Sequence, residues 1–351
     1  MLAPVLHVLP LASIVRERLL PVAGKVNAHM NQRVSPTDVI AEANFAREHI
    51  LLDVARTFGV STAAADKLIK VNEGDKVSVG ALIAENSGMF TRSIRAPRPG
   101  RVMVVGGGQV LMEVGDARVE LKAGLPGQVI QIIPEKGVVI RTAGALIQGV
   151  WGNGRIDNGL MRVLIEKPDD VLTADHLDVS MRGSVILGGQ VRDAETLRAG
   201  AEQQIRGLII PSMVSPLIAT AYQMRYPILV LDGFGALPMN SAAFKLLSTS
   251  KEREVTVNAE HFDRYSPNRP EAIIPLPVEK ELMEPNPYSM FAVGLTVRMR
   301  RPPFVGMIGT ISNLPAGLST LQSGLRAPAA DVKLENGESV TVPLVNLEVV
   351  G

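Results

Sequence analysis

The chain has 351 residues, enough for two or three domains, and its 46% hydrophobic but only 4% aromatic content predicts globular cores filled by aliphatic side chains. Its 36 basic and 35 acidic residues give a net charge of +1, so no long-range field attracts nucleic acid or an anionic membrane. The absence of cysteine excludes disulfides, thiolate metal sites, iron–sulfur clusters and cysteine nucleophiles.

The first twenty residues are largely apolar, but no basic residue precedes the apolar run, which contains prolines and a histidine. This segment is therefore predicted to be a strand that enters the fold rather than a signal peptide. No other run approaches the roughly 18 apolar residues of a membrane span. Together these features predict a cytoplasmic protein with no membrane span.

A repeated phrase organises the first 165 residues. The sequence RVSPTDVIAEA at residues 33–43 returns as KVSVGALIAEN at residues 76–86, and RPGRVMVV at 98–105 returns as LPGQVIQI at 125–132. In the first pair a polar turn precedes a valine and a strand-like apolar run closes the phrase. The pattern predicts short β-strands joined by tight turns.

These motifs resemble, over residues 20–113, the barrel-sandwich hybrid of biotinyl and lipoyl carrier domains. The residues that match one half of that fold are Gly74, Asp75, Val77, Gly80, Ile83 and Ala84, and those that match the other half are Ala96, Pro97, Gly100 and Val102. The resemblance implies a module built from two similar halves that interleave, which would explain the repeated phrase. Carrier domains present a modified lysine between the halves, but residues 86–94 contain none, so no carried cofactor is expected.

Residues 44–69, between the two copies, show helical periodicity. The residues predicted to share one face are Phe45, Ile50, Leu51, Val54 and Phe58, with Gly59 ending the helix. Ser61 would then cap a second short helix that ends near Ile69. Such a helical insert could be a docking arm, or it could cover one open end of the β-module.

Two glycine-rich stretches are predicted to be turns. VVGGGQVL at residues 104–111 lacks the lysine and the following helix of a phosphate loop, so it is predicted to be a hairpin turn. The loop that contains the only tryptophan, Trp151, could bind a ligand or could be a tight turn with the indole packed over a strand end.

Residues 175–262 alternate four strand-like with three helical segments, which predicts a small parallel α/β unit. Ligands of such sheets bind beyond the carboxyl ends of the strands. The candidate ligand-binding residues at those ends are Gly189, Gln190, Ser212, Asp232, Gly233 and Gly235. The alternative is that the glycines only serve the short turns between strands and helices.

No pattern in the sequence indicates catalysis. The five histidines have no metal-like spacing, and no serine lies in a nucleophile elbow, so no catalytic residue, metal or cofactor is expected. An enzyme is not excluded, but the sequence favours a protein without enzymatic activity.

A proline-rich linker is predicted over residues 266–287, followed by a β-domain over residues 288–351. Residues 294–351 resemble the KOW module, an SH3-like barrel of ribosomal proteins and NusG-type transcription factors. The matching residues are Val297, Arg298, Pro303, Phe304, Gly306, Gly309 and Ile311; Arg301 and Pro302 depart from the glycine-proline usual in that family. The resemblance implies an RNA or protein partner, with Arg298, Arg300 and Arg301 as candidate phosphate contacts.

The predicted fold class is therefore mixed α/β and β. It comprises a barrel-sandwich hybrid at residues 1–165 with a helical insert at 44–69, an α/β unit at 175–262 and an SH3-like barrel at 288–351. The first functional hypothesis is a non-enzymatic scaffold or adaptor that binds protein partners or itself. The second is a nucleic-acid-associated factor that uses the C-terminal barrel, and the third is an enzyme or ligand sensor with a site in the α/β unit.

Overall fold

The computed structural model describes residues 2–45, 48–87, 91–115, 117–262, 269–277, 282–286, 288–321 and 323–351. The protein is mostly β-sheet, with 48% of residues in strands and 14% in helices, distributed over several sheets. Among the described residues, no helix is long and apolar enough to cross a membrane.

The first part of the chain consists of strands and two short helices. Its elements are β1 (Leu2–Leu6), β2 (Val8–Leu19), β3 (Lys25–Val26), β4 (Arg33–Val34), β5 (Val39–Phe45), β6 (Glu48–Asp53), α1 (Val54–Phe58), α2 (Thr62–Asp66), β7 (Lys76–Val77), β8 (Leu82–Ser87), β9 (Thr91–Arg95), β10 (Gly100–Gly106), β11 (Gln109–Val114), β12 (Ala117–Lys122), β13 (Gly127–Ile133) and β14 (Gly137–Gln148).

Residues 48–115 form a unit that we call the inner module. Its four-stranded sheet has the order β6-β11-β10-β7, and β8 pairs with β9 in a separate hairpin. These strands and helices α1 and α2 enclose one core, which includes Val54, Ile83, Val110 and Met112. The glycine run at residues 106–108 forms the β10–β11 hairpin turn, as predicted.

The predicted helical insert is much shorter than expected. Residues 48–53 form strand β6 instead of a helix, and only residues 54–58 and 62–66 are α-helical. In β6, Ile50 and Leu52 pack against the core while His49 and Leu51 are exposed, a period of two. The apolar run of residues 50–52 fits either period, and pairing with β11 along its whole length decides in favour of the strand.

The outer module comprises β3, β4, β5, β12, β13 and the start of β14. One sheet has the order β12-β5-β3, and β13 pairs with both β4 and β14. Its core, which includes Val34, Ile40, Leu125 and Ile140, is separate from that of the inner module.

The two copies of the repeated phrase belong to different modules. In the outer module Gly127 pairs with Val34, and in the inner module Gly100 pairs with Val77, the equivalent positions. The expectation that the two copies interleave is therefore wrong, because each pairs with its own Pro-Gly-x-Val segment. The inner module is inserted between the two halves of the outer one.

The central part of the chain combines strands with three α-helices. Its elements are β15 (Trp151–Gly152), β16 (Ile156–Val163), β17 (Val171–Leu172), β18 (Ser184–Leu187), β19 (Gln190–Val191), α3 (Ala194–Glu202), β20 (Gly207–Met213), α4 (Ile218–Gln223), β21 (Ile228–Phe234), α5 (Ser241–Ser248), β22 (Glu254–Asn258) and β23 (Glu271–Pro275). Short 3-10 helices span Ala174–His176, Val179–Met181 and Ser215–Leu217.

The predicted alternation of strands and helices is present, but not every strand is parallel. Strands β16, β18, β20 and β21 are parallel neighbours, with apolar cores on both faces. The fourth predicted strand, β22, is instead antiparallel to β16 and to β23. The period of the side chains identifies a strand but not its direction. The direction depends on the end of the sheet from which the chain re-enters it.

The central sheet continues across two expected boundaries. Through β22 and β23 it reaches β14, so strands on both sides of residue 165 share one sheet. Strand β23 also lies inside the predicted linker, which is therefore not a linker at this point, because Ala272, Ile273 and Ile274 are buried. Pro270 and Pro275 mark the ends of this strand. Residues 266–268, 278–281 and 287 of the expected linker lie outside the described residues.

The C-terminal part is a β-domain. Its elements are β24 (Tyr288–Met290), β25 (Thr296–Met299), β26 (Ile308–Asn313), β27 (Ser319–Thr320), β28 (Arg326–Ala327), β29 (Ala329–Leu334), β30 (Ser339–Pro343), the 3-10 helix Leu344–Asn346 and β31 (Leu347–Val350). Its main sheet has the order β24-β1-β31-β25-β26-β29-β30. The N-terminal segment is thus a strand, as predicted, but β1 completes the C-terminal sheet.

Candidate functional surfaces

Several polar groups of the candidate ligand site at the strand ends are hydrogen-bonded within the protein. The Ser212 hydroxyl donates to the Leu237 carbonyl at 2.8 Å and accepts from the Leu237 amide at 3.1 Å. The Gln190 side-chain oxygen accepts from Arg192 at 2.9 Å. A Cβ on Gly189 would lie 2.2 Å from the Asp170 carbonyl oxygen, so this glycine allows close packing of the chain.

Asp232 has the same internal role. Its carboxylate accepts hydrogen bonds from the Asn240 amide and side chain at 3.0 and 2.9 Å, and Asn240 in turn caps α5. Gly233, near the end of β21, and Gly235, directly after it, have positive φ values of 145° and 112°. The structure thus brings Asp232, Gly233 and Gly235 together near Ser212, but it uses their polar groups to fix the β21–α5 connection. The hypothesis of a ligand site here stays a prediction.

Arg298 lies inside the protein, in a chain of buried ion pairs. It is 3% exposed and donates to the Leu231 carbonyl at 2.9 Å, to Asp232 at 3.2 Å and to Glu348 at 2.7 Å. Arg269 holds the other oxygen of Glu348 at 2.7 Å. The predicted phosphate contact at Arg298 is therefore wrong, because its guanidinium joins the central sheet to the C-terminal sheet.

The two carboxylates of this chain have opposite pKa shifts. Burial raises the pKa of Asp232 above its ordinary value, against the opposing effects of Arg298 and Asn240. Burial also favours the neutral form of Glu348, but Arg298 and Arg269 together outweigh it and leave the Glu348 pKa below its ordinary value. The difference follows from the number of cations, since Glu348 has two arginine partners and Asp232 has one.

The other two predicted phosphate contacts lie on the surface. Arg300 and Arg301 are exposed and follow β25, where the Arg300 amide donates to the Asn346 carbonyl at 2.8 Å. Because Arg298 is buried, these two neighbouring arginines are the exposed members of the predicted set of phosphate contacts.

A polar cleft that the sequence did not predict lies beside β2. A cavity of about 770 Å³ is lined by side chains that include His7, Arg18, Gln148 and Glu260. Arg18 forms two hydrogen bonds with Glu260, and the neighbouring Arg16 binds Glu271 at 3.0 and 2.7 Å. Two arginines two residues apart on one strand were a visible signal, but their partners lie more than 240 residues away in sequence.

His7 is a buried residue of this cleft whose side chain ordinarily titrates near neutral pH. Burial, reinforced by Arg16 and Arg269, lowers its pKa from 6.5 to about 4 despite Glu271. Its Nδ1 atom is buried without a hydrogen-bond partner among the described residues. A neutral imidazole beside arginines that are already paired offers no poised acid and base, and the described part of the chain contains no group of three potential metal ligands.

An aromatic cluster surrounds the only tryptophan. The Trp151 indole packs edge-on against Tyr222 at 5.3 Å and Phe234 at 5.9 Å between ring centroids, and Tyr222 packs against His261 at 5.6 Å. Strand β15, which contains Trp151, pairs with β21. The indole therefore packs at the sheet edge, as expected, but Trp151 itself lies in an edge strand rather than in a tight turn, and the ligand-loop alternative stays a prediction.

The outer face of the inner-module sheet has an exposed apolar row. Leu51 on β6 pairs with Leu111 on β11, which pairs with Val104 on β10, so the three side chains lie side by side. Leu51 is 56% exposed and Val104 is 51% exposed. The adjacent row is polar and consists of His49, Glu113 and Arg101.

Comparison with models of known protein families gives no match for the chain, and comparison with curated proteins gives none either.

Proposed function

We propose that the chain is a non-enzymatic scaffold protein that binds other protein chains through its small β-modules. The observation that supports this is the apolar row of Leu51, Leu111 and Val104, which lies beside a polar row on the same sheet. Apolar rows rimmed by polar side chains are typical of protein interaction sites. The candidate strand-end site, by contrast, is occupied by internal hydrogen bonds.

The proposal includes a finer interpretation of the modules. The equivalent Gly100–Val77 and Gly127–Val34 pairs, each beside its own core, support the barrel-sandwich hybrid resemblance for both the inner and the outer module. The antiparallel pairing of β31 with β25, β25 with β26, β26 with β29 and β29 with β30 supports the resemblance to an SH3-like barrel.

Site-specific photocrosslinking tests the proposed function. A photoreactive phenylalanine analogue replaces Val104 in the full chain, produced in the cells from which the gene derives. The matched control carries it at Leu160, which is 53% exposed on β16, outside the inner module. We expect a covalent adduct with a protein chain from position 104 and none from position 160, with mass spectrometry identifying the partner. No adduct at position 104, or equal adducts at both positions, would contradict the proposal.

Nucleic-acid binding is the second candidate function, because Arg300 and Arg301 are both exposed. It predicts affinity for RNA or DNA that falls steeply with salt, and a smaller salt slope when both arginines are changed to glutamine. Filter binding across a salt series measures this. An unchanged slope in the double variant would eliminate these two residues as phosphate contacts.

A further inference from the structure

Strand β6 lies at an open edge of the inner-module sheet. The sheet order β6-β11-β10-β7 places β11 on one side of β6, and no strand among the described residues pairs with its other side. The Val54 amide, directly after β6, donates to Gly108 at the β10–β11 turn at 2.9 Å. Because main-chain groups alternate sides along a strand, the amides and carbonyls of His49 and Leu51 and the amide of Asp53 point to the open edge, whereas the Asp53 carbonyl accepts a hydrogen bond from the Thr57 hydroxyl of α1 at 2.6 Å.

This edge lacks most of the features that usually prevent strand pairing, and its charged residues, Glu48 and Asp53, stand only at its two ends. Natural edge strands are short, contain lysine or proline, or carry a bulge. The opposite edge strand, β7, is only two residues long and contains Lys76. Strand β6 has six residues, no lysine or proline, and an unbroken register with β11. Its central exposed side chain is Leu51.

We propose that a second copy of this chain pairs with β6, antiparallel and with the two-fold axis at Leu51; this inference rests on the proposed scaffold function. In that register Leu51 faces Leu51 of the second copy, His49 faces Asp53, and Ile50 faces Leu52. The pairing uses the main-chain groups that point outward. The row of Leu51, Leu111 and Val104 then becomes a continuous row of six apolar side chains across the joined sheets.

The sequence of β6 selects this register over its neighbours. Two other symmetric registers also use the outward-pointing residues, with the axis at Ile50 or at Leu52. The first places Leu51 opposite His49 and Leu52 opposite Glu48, and the second places Leu51 opposite Asp53. With the axis at Leu51, every apolar side chain of the strand faces another apolar side chain, and the His49 imidazole faces the Asp53 carboxylate. Neither of the other two registers achieves this, so only this register makes the strand complementary to itself.

The first test is the oligomeric state of the full chain, measured by sedimentation over a concentration series. We expect a dimer whose dissociation constant rises at least about tenfold in Leu51→Lys, because like charges then face each other on the axis. Leu160→Lys is the matched control, since Leu160 is as exposed as Leu51 but lies on β16. It should leave the dimer unchanged.

A second test does not depend on loss of binding. The chain contains no cysteine, so one introduced cysteine has a single possible partner in a dimer. Side chains directly opposite in antiparallel strands have Cβ atoms about 5 Å apart. Leu51→Cys should therefore give a covalent dimer with a short bis-maleimide, whereas Leu160→Cys should not.

Two outcomes would overturn the inference: a monomer at every concentration, or a dimer that Leu51→Lys leaves intact and Leu51→Cys does not cross-link. Neither decides the scaffold function by itself. If position 104 still gives an adduct with a different protein while the chain is monomeric, the scaffold function stands and only the self-pairing is wrong. If position 104 gives no adduct in a monomeric chain, both fail.

Discussion

Replacing Arg298 with methionine, which is of similar length but uncharged, tests whether the buried ion chain joins the central and C-terminal sheets. The change removes hydrogen bonds to the Leu231 carbonyl, to Asp232 and to Glu348. Removing one partner of a buried ion pair typically destabilises a protein by about 3–5 kcal/mol, because the remaining charge stays buried. In the variant, Glu348 still pairs with Arg269, and Asp232 still accepts hydrogen bonds from Asn240. We therefore expect the free energy of unfolding to fall by about 3 kcal/mol.

The pH dependence of this loss distinguishes an electrostatic cause from lost packing. The pKa of Asp232 is already raised by burial, and Arg298 is the cation that opposes this. Without Arg298 the folded-state pKa rises further, so the folded variant binds a proton more readily than the unfolded chain does. A group whose pKa is higher in the folded than in the unfolded state contributes less to the free energy of unfolding as the pH rises through its folded-state pKa. The difference between variant and parent should therefore be larger at alkaline than at mildly acidic pH.

Denaturant unfolding followed by Trp151 fluorescence measures this loss, since the indole packs against Phe234 at the end of β21, beside Asp232. Arg300→Met is the matched control, an exposed arginine two residues along the chain, and it should change the free energy of unfolding by less than about 0.5 kcal/mol. A loss at Arg298→Met below about 1 kcal/mol, or equal to that of the control, would refute the reasoning.

Two further predictions concern stability. Because the His7 pKa is lowered from 6.5 to about 4, the unfolded chain binds a proton in this window that the folded chain does not, and the free energy of unfolding should fall by about 1–3 kcal/mol as the pH drops through it. His7→Gln should flatten that slope in denaturant titrations at several pH values, and an unchanged slope would assign it to other groups. Gly100→Ala and Gly127→Ala should each cost about 1–3 kcal/mol, because the new Cβ would lie 2.2 Å from the Glu113 oxygen and 2.4 Å from the Arg141 oxygen. Equal losses in thermal unfolding would fit their equivalent positions, and a neutral change at either would contradict the close approach.

Local signals in the sequence identified many elements correctly. The alternation around residues 184–234 predicted β18, β20 and β21 with helices between them, and the glycine run at 106–108 predicted a hairpin. These features depend on residues close in sequence, where side-chain period and backbone freedom act directly. Residues 48–53 were one exception, because a short apolar run fits both a helix and a strand until a neighbour pairs with it.

The arrangement of those elements depended on contacts between distant residues. The repeated phrase predicted two interleaving halves of one module, and only the pairing of Val34 with Gly127 and of Val77 with Gly100 showed that the copies belong to two modules, one inserted into the other. The sequence also singled out Arg298 as a charged residue on a strand. Whether such a side chain meets solvent or a carboxylate depends on which strand packs against it, and here Asp232 and Glu348, 66 and 50 residues away, bury it. Composition and periodicity thus determined the kinds of elements, whereas tertiary packing decided which polar groups are satisfied inside and which edge and face remain open.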